Sequence, residues 1–331
     1  MTWQDLALLG GGLGLFLFGM KQMGDGLERA AGDSLRRFLE ILTRSRFLGL
    51  LVGLVFTMVV QSSSATTVMV VGFVRAGLMD LHQAAGVIFG ANIGTTITAQ
   101  LIALQVSDAA PVLLLAGVLL HCFCRRRFLQ DLGGVLAGFG MLFLGLTLMG
   151  EAASKLRDMP EAADFLAVFA RTPVLGILAG LAVTAVIQSS SASVGLLQLL
   201  AAQGVIGLDS AIFVVMGQNI GTTVTAILAS AGGGKAARRA ALLHLLFNVF
   251  GTVLFFVLVR LLPVTAWIAA LTPGNPMRQI ANAHTLFNVC SVAALLPFLD
   301  PMVRLTEALI PEARPASRRI SGRKAHPSRN A

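Results

Sequence analysis

Two short blocks carry the chemistry of this sequence: Gln61-Ser62-Ser63-Ser64 and Gln188-Ser189-Ser190-Ser191. Each interrupts an otherwise apolar stretch, 49–74 and 174–200. Serine hydroxyls donate to anion oxygens, and the N–H groups at a helix start do the same. Freed carbonyls, Gln amide oxygens and Ser or Thr hydroxyls suit Na+, a hard cation that takes neutral oxygens at close range. Two Asn-Ile-Gly-Thr-Thr segments, 92–96 and 219–223, add an amide, two hydroxyls and a Gly that lets backbones approach. One serine cluster alone reads as helix packing, with its hydroxyls bonded to backbone. Duplicated blocks read as two half-sites with a ligand between them. For Asn92, Asn219 and the threonines, an interhelical hydrogen bond is the competing reading.

The elements around these blocks belong to a membrane. Of 331 residues, 56% are apolar and 12% charged, about half the charged share of an ordinary soluble domain. The mean hydropathy is +0.81. This excludes a disordered chain, a coiled coil, a soluble enzyme and a nucleic-acid-binding domain. The net charge of +9 gathers in short clusters between apolar runs, the charge pattern of an integral membrane protein. Spanning helices are expected at 5–24, 83–105, 111–124, 131–150, 210–230, 240–262 and 279–299. Residues 1–5 lack a basic leader, so the first segment is expected to stay as a membrane helix. Residues 25–46 and 151–172 are charged and amphipathic and are expected along the interface. The fold class is all-α, a polytopic bundle.

The half-stretch 49–60 has 12 residues and would reach only about 18 Å as a helix, against a hydrocarbon core of about 30 Å. Both Ser-block stretches therefore read as re-entrant hairpins, at about 49–78 and 174–204. Backbone at a hairpin tip is tolerated at membrane depth only where it is buried in protein or lines a cavity.

An internal repeat organises the chain. Shifted by 127 residues, 50–103 lies on 177–230 without a gap, with 23 identities in 54 positions. Met23-Gly24-Asp25 also matches Met149-Gly150-Glu151 after one indel. Three crossings precede the second unit, so the two units, 1–130 and 131–303, read as inverted-topology repeats. With the N-terminus outside, 20 of the 25 Lys and Arg fall on the inner side, as the positive-inside rule requires. Residues 304–331 read as a basic, disordered cytoplasmic tail.

Other polar groups carry weaker signals. His244 and Asn248, like His284 and Asn288, share a helix face at four-residue spacing. They read as polar contacts near a pathway or as interhelical pairs. Cys122, Cys124 and Cys290 make no disulfide framework and read as packing. Asp80, Asp108 and Asp209 fall at segment ends and read as loops or caps. The expected spans carry no central charge of the kind proton pumps and voltage sensors use. There is no Walker A sequence, so ATP does not drive this chain directly.

The paired Gln-Ser-Ser-Ser and Gly-x-Asn-Ile-Gly-Thr-Thr motifs, the latter at 90–96 and 217–223, resemble the Na+/phosphate cotransporter family over about residues 5–300. The resemblance implies Na+-coupled symport of inorganic phosphate across the cytoplasmic membrane, with an elevator-like motion of the hairpin-bearing part. No organic cofactor is implied. Carried onto this chain, the binding set is Gln61, Ser62, Ser63, Ser64, Thr66, Asn92, Thr95 and Thr96. Its second half is Gln188, Ser189, Ser190, Ser191, Ser193, Asn219, Thr222 and Thr223. Na+ would take a subset of Gln61, Ser64, Asn92, Thr95, Gln188, Ser191, Asn219 and Thr222. A fixed scaffold leads to the expectation of a homodimer.

Many bacterial members carry a soluble PhoU-like domain after the membrane part, so regulation through that domain is expected to be absent here or supplied by a separate protein. Neither motif holds a carboxylate, which points to fewer coupled ions or electroneutral transport. The rival readings are another oxyanion such as sulfate, a phosphate exporter, and an intramembrane serine hydrolase using His244 or His284.

Overall fold

The computed structural model of the protein describes residues 2–31, 45–157, 159 and 172–311. Thirteen α-helices and two 3-10 turns are found among the described residues, and no strand. Among the described residues, six helical stretches are long and apolar enough to cross a membrane.

Three helices form one layer: α1 (Trp3–Ala31), α5 (Ala110–Phe123) and α6 (Arg127–Arg157). Glycines set how closely they pack. Gly12, Gly19 and Gly26 lie seven residues apart on α1 and meet Gly145, Gly138 and Asp131 of α6. Later residues of α1 meet earlier residues of α6, so the two helices are antiparallel. Gly117 meets Ala137, and Gly140 meets Leu114, so α5 is antiparallel to α6 as well. Small residues at such seams let backbones touch, which is how helices associate without a hydrophobic drive between them.

The second layer holds both hairpins. The first is α2 (Arg46–Val60) and α3 (Ser63–Arg75), followed by α4 (Leu81–Ile102). The second is α7 (Pro173–Ile187) and α8 (Ser190–Ala202), followed by α9 (Leu208–Ser230). Then come α10 (Gly234–Leu261), α11 (Val264–Leu271), α12 (Pro276–Leu295) and α13 (Leu299–Leu309).

Gly49 and Gly53 of α2 press on Gly86 and Val87 of α4, while Gly94 presses on Thr57. The residue numbers rise together, so α2 and α4 run parallel. The first hairpin therefore returns to the end where it began. The second does the same: Gly176 meets Phe213, and Gly221 meets Thr184. At 15 residues, α2 and α7 reach about 22 Å each, short of a full crossing.

The apolar core lies inside this second layer. Val52, Phe56, Ile88, Phe89, Leu243 and Phe247 form one cluster, with the Phe89 and Phe247 rings 4.2 Å apart. A second cluster, with Phe16, Phe143, Val194 and Val215, ties α1 and α6 to α8 and α9.

Three expectations need correction. Residues 25–31 and 151–157 are not separate interfacial segments but the last turns of α1 and α6. No Pro stops either helix there, and Arg29 of α1 pairs with Asp131 of α6 at 3.0 Å. Residues 32–44 and 160–171 lie outside the described residues. The basic tail does not start at 304: α13 runs to Leu309 and buries Met302, Val303 and Thr306, and only residues beyond 311 lie outside the description. The segment expected to span at 111–124 is a 14-residue helix, preceded by a 3-10 turn at Ser107–Ala109.

Candidate functional site

Each hairpin tip is built by the same local rule. Gln61 ends α2 in the left-handed region, at φ 58°, and Gln188 ends α7 there at φ 57°. That conformation is uncommon for a residue with a Cβ, and the chain adopts it twice at equivalent places. The next residue is extended and caps the returning helix. Ser62 Oγ accepts from Ala65 N–H at 3.1 Å, and Ser189 Oγ from Ala192 N–H at 3.3 Å.

The first N–H groups of a helix have no partner within it. At these tips they belong to Ser63 and Ser64, and to Ser190 and Ser191. Each tip thus offers N–H and hydroxyl donors at the positive end of a 13-residue helix.

A bond between hydroxyls closes each hairpin just below its tip. Thr57 and Thr66 share a hydrogen bond of 2.8 Å, and Thr184 donates to Ser193 at 2.8 Å. Thr66 and Ser193 are thus tied to the preceding arm of their own hairpins.

The two tips meet. Ser64 Oγ donates to the Gln188 carbonyl at 3.4 Å. A cavity of about 340 Å³ opens beside this contact, lined by Gln61, Ser62 and Ala65 from the first tip and Ser189 from the second. Its opposite wall is α1. A Cβ at Gly24 would lie 3.0 Å from the Val60 carbonyl oxygen, so α1 touches the hairpin there. Lys21, Asp25 and Glu28 flank Gly24 on the same wall.

None of these three charged residues stands in the expected binding set: Lys21 falls at the end of the expected span 5–24, and Asp25 and Glu28 fall in the segment expected along the interface. Their spacing of four and three places them on one helical face, which was the available signal.

The Asn-Ile-Gly-Thr-Thr segments lie deeper, in α4 and α9, and do not line this cavity. Asn92 Nδ2 donates to the Ile88 carbonyl at 2.8 Å, and Asn219 Nδ2 to Val215 at 3.0 Å. Thr95 and Thr96 donate to Ala91 and Ile93, and Thr222 and Thr223 to Gln218 and Ile220. Every one of these donors is satisfied on its own helix, and both Asn oxygens are left as acceptors. Gly90 and Gly217, just before the segments, sit where a Cβ would overlap the Leu50 and Ile177 carbonyl oxygens. The segments thus clamp each hairpin onto its neighbouring helix.

His244 and His284 are buried. Asn248 and Asn288 bond to their backbone carbonyls, each at 2.9 Å. The pairs are therefore intrahelical, and among the described residues neither imidazole bonds a serine of either block, so no serine nucleophile is assembled there with a base. Asp80 is a cap, as expected: it closes a reciprocal capping box with Gln83.

A second cavity, of about 560 Å³, lies against α6, lined among others by Thr147, Gly150, Glu151 and Ser154. Met149-Gly150-Glu151 is the counterpart of Met23-Gly24-Asp25. Since α1 and α6 are antiparallel, the two cavities sit toward opposite ends of that pair. The second meets the far end of its hairpin, at Leu199, Ala202 and Gln203, and not the tip.

Comparison with known proteins places this architecture. No solved structure matches the chain. An uncharacterised protein of Bacillus subtilis (strain 168) is 36% identical over 297 residues, covering 89% of this chain and 95% of the relative. An Escherichia coli (strain K12) protein, provisionally named as an inorganic phosphate export protein, is 30% identical over 296 residues. The match covers 89% of this chain but spans only 54% of that relative's length. The human sodium-dependent phosphate transport protein 2B is 35% identical over 150 residues, 44% of this chain and 20% of the relative. The family profile described as Na+/Pi-cotransporter matches residues 15–151 and 155–272. This chain is a multi-pass membrane protein that belongs to the Na+/Pi-cotransporter family, a family of transporters and not of enzymes.

Proposed function

We propose that this protein moves inorganic phosphate across the cytoplasmic membrane together with Na+, by alternating access around the two Gln-Ser-Ser-Ser tips. The contact of Ser64 with the Gln188 carbonyl carries the reading. Two helix N-termini and two serine-rich turns come together there, and that donor set suits a tetrahedral oxyanion. Tip carbonyls and Gln oxygens serve the cation, as they do at broken helices in other secondary transporters. The bulk of the ligand binds at Gln61, Ser62, Ser63 and Ser64 with Gln188, Ser189, Ser190 and Ser191. The glycines of the Asn-Ile-Gly-Thr-Thr segments hold the hairpins close, and the Asn92 and Asn219 oxygens remain as acceptors.

Alternating access draws support from symmetry. The corresponding segments of α1 and α6 run antiparallel, as two inverted units would. Cavities lie toward opposite ends of that pair, and only one reaches the tips. In this account the N-terminus is outside, and the tip cavity opens inward. The α1 and α6 layer is the fixed scaffold past which the hairpins move.

The test is radiolabelled phosphate flux in proteoliposomes under a Na+ gradient, with K+ replacing Na+ as control. Flux that requires Na+ supports the reading. Folded protein that moves no phosphate under any Na+ gradient overturns it. The name of the Escherichia coli relative favours export as the direction of net flow in the cell. Export is therefore the second reading: phosphate-loaded vesicles that empty against an inward Na+ gradient would favour it over symport, and Na+-driven filling would favour symport.

A further inference from the structure

We propose that Lys21 is the fixed counter-charge for the phosphate at the paired tips, acting only while the site faces the cavity that Lys21 lines. The inference rests on the phosphate reading and adds a specificity residue outside the repeated motifs.

The tip donors are all neutral: Gln amides, Ser hydroxyls and backbone N–H groups. An anion leaving water for a partly apolar cavity loses hydration that neutral donors replace only in part. Among the residues lining this cavity, Lys21 is the one cation, together with the carboxylates of Asp25 and Glu28. Lys21 has no hydrogen bond or ion pair among the described residues, although Asp25 stands one helical turn away. Its ammonium is therefore available, on a stem with several rotatable bonds. Long side chains on a helix lean toward its N-terminus, so Lys21 leans away from the mouth where Glu28 lies. Gly24, one turn along, is the point where α1 touches the tip. Lys21 thus lies one turn deeper than this contact, Asp25 lies beside it, and Glu28 stands nearer the mouth, where it favours Na+ entry.

The second cavity lacks this feature. The position matching Lys21 is Thr147, whose hydroxyl donates to the Phe143 carbonyl at 3.0 Å. That cavity's lining holds Glu151 and no cation. The repeat therefore supplies the donors twice and the positive charge once. Because Lys21 sits on α1, packed against α6 rather than within a hairpin, a tip that moves past α1 leaves the ammonium behind. The charge then acts from one face of the membrane only.

The experiment uses right-side-out and inside-out vesicles carrying wild type, Lys21→Gln or Lys21→Arg, with thermal unfolding in detergent to confirm folding. Lys21→Gln is expected to raise the phosphate KM about tenfold from the face of the tip cavity, the loss of one charge-assisted hydrogen bond. The maximal rate and the KM from the opposite face should change less than about twofold, and Lys21→Arg should restore the KM. An unchanged KM, an equal rise from both faces, or a failure of Arg to rescue would overturn the proposal. Wild type without Na+-dependent phosphate flux would instead refute the underlying reading.

Discussion

The two hairpin tips share a backbone and differ in what their glutamines do. Gln61 is only 9% exposed. Its Oε1 accepts from Thr98 Oγ1 at 2.8 Å, and its Nε2 donates to the Met58 carbonyl. Gln188, at the same φ and ψ, is exposed and its side chain has no hydrogen bond among the described residues. The counterpart of Thr98 is Thr225, which turns back to the Thr222 carbonyl at 2.8 Å. The duplicated sequence therefore specifies the turn, and the surroundings specify whether its glutamine is held. The first tip is bound into the protein, while the second keeps its amide free to meet a ligand.

This comparison can be broken or sharpened by paired substitutions. The largest effect is expected where the halves agree. Gly90→Val and Gly217→Val each drive a side chain into a carbonyl of the packed hairpin. Each should destabilise by about 3 kcal/mol or more, with loss of the monodisperse peak in size-exclusion chromatography. Survival of one and not the other would show that the clamps are not equivalent.

The next effect separates the halves. Gln61→Ala removes two hydrogen bonds and should lower stability by about 2 kcal/mol. Gln188→Ala should lie within about 0.5 kcal/mol of wild type. Both should cut phosphate transport at least about tenfold, read by uptake alongside thermal unfolding. Equal destabilisation would contradict the asymmetry, and near-normal transport in both would make the tips packing elements.

The smallest effect tests the partners. Thr98→Val should cost about 1 kcal/mol, since it leaves the Gln61 oxygen buried and unpaired. Thr225→Val should cost less than about half of that, because Thr225 only back-bonds its own helix. Thermal unfolding of the two variants side by side decides this.

Much of this architecture is legible in the sequence. Polar blocks in apolar stretches too short to cross twice force a turn at membrane depth, and the structure turns there. The offset of 127 residues pairs the tip caps Ser62 and Ser189 and the close-packed glycines Gly90 with Gly217 and Gly94 with Gly221, because matched polar motifs survive where Leu and Val matches carry little information. What was not legible has a common cause in tertiary context. Nothing about a glutamine announces a left-handed backbone, which here follows from two helices joined by two residues. Asp25 and Glu28 read as an interfacial segment because the apolar run ends near residue 24, and Lys21 as the end of a span, yet α1 continues to Ala31 and packs against α6. The asparagines and threonines of the 92–96 and 219–223 segments read as ligands by type. Their donors are instead taken by the carbonyls one turn back, a choice that side-chain spacing alone does not reveal.

The most direct test of the central claim, that phosphate binds with Na+ where the two tips meet, is equilibrium binding of radiolabelled phosphate to purified protein. Scintillation proximity measurements in Na+ and in K+ would compare wild type with Ser62→Ala, Ser189→Ala and the double variant. The account predicts binding that needs Na+, weakens in each single variant and is lost in the double. Binding that ignores Na+, or that survives in the double variant with its affinity unchanged, would contradict it.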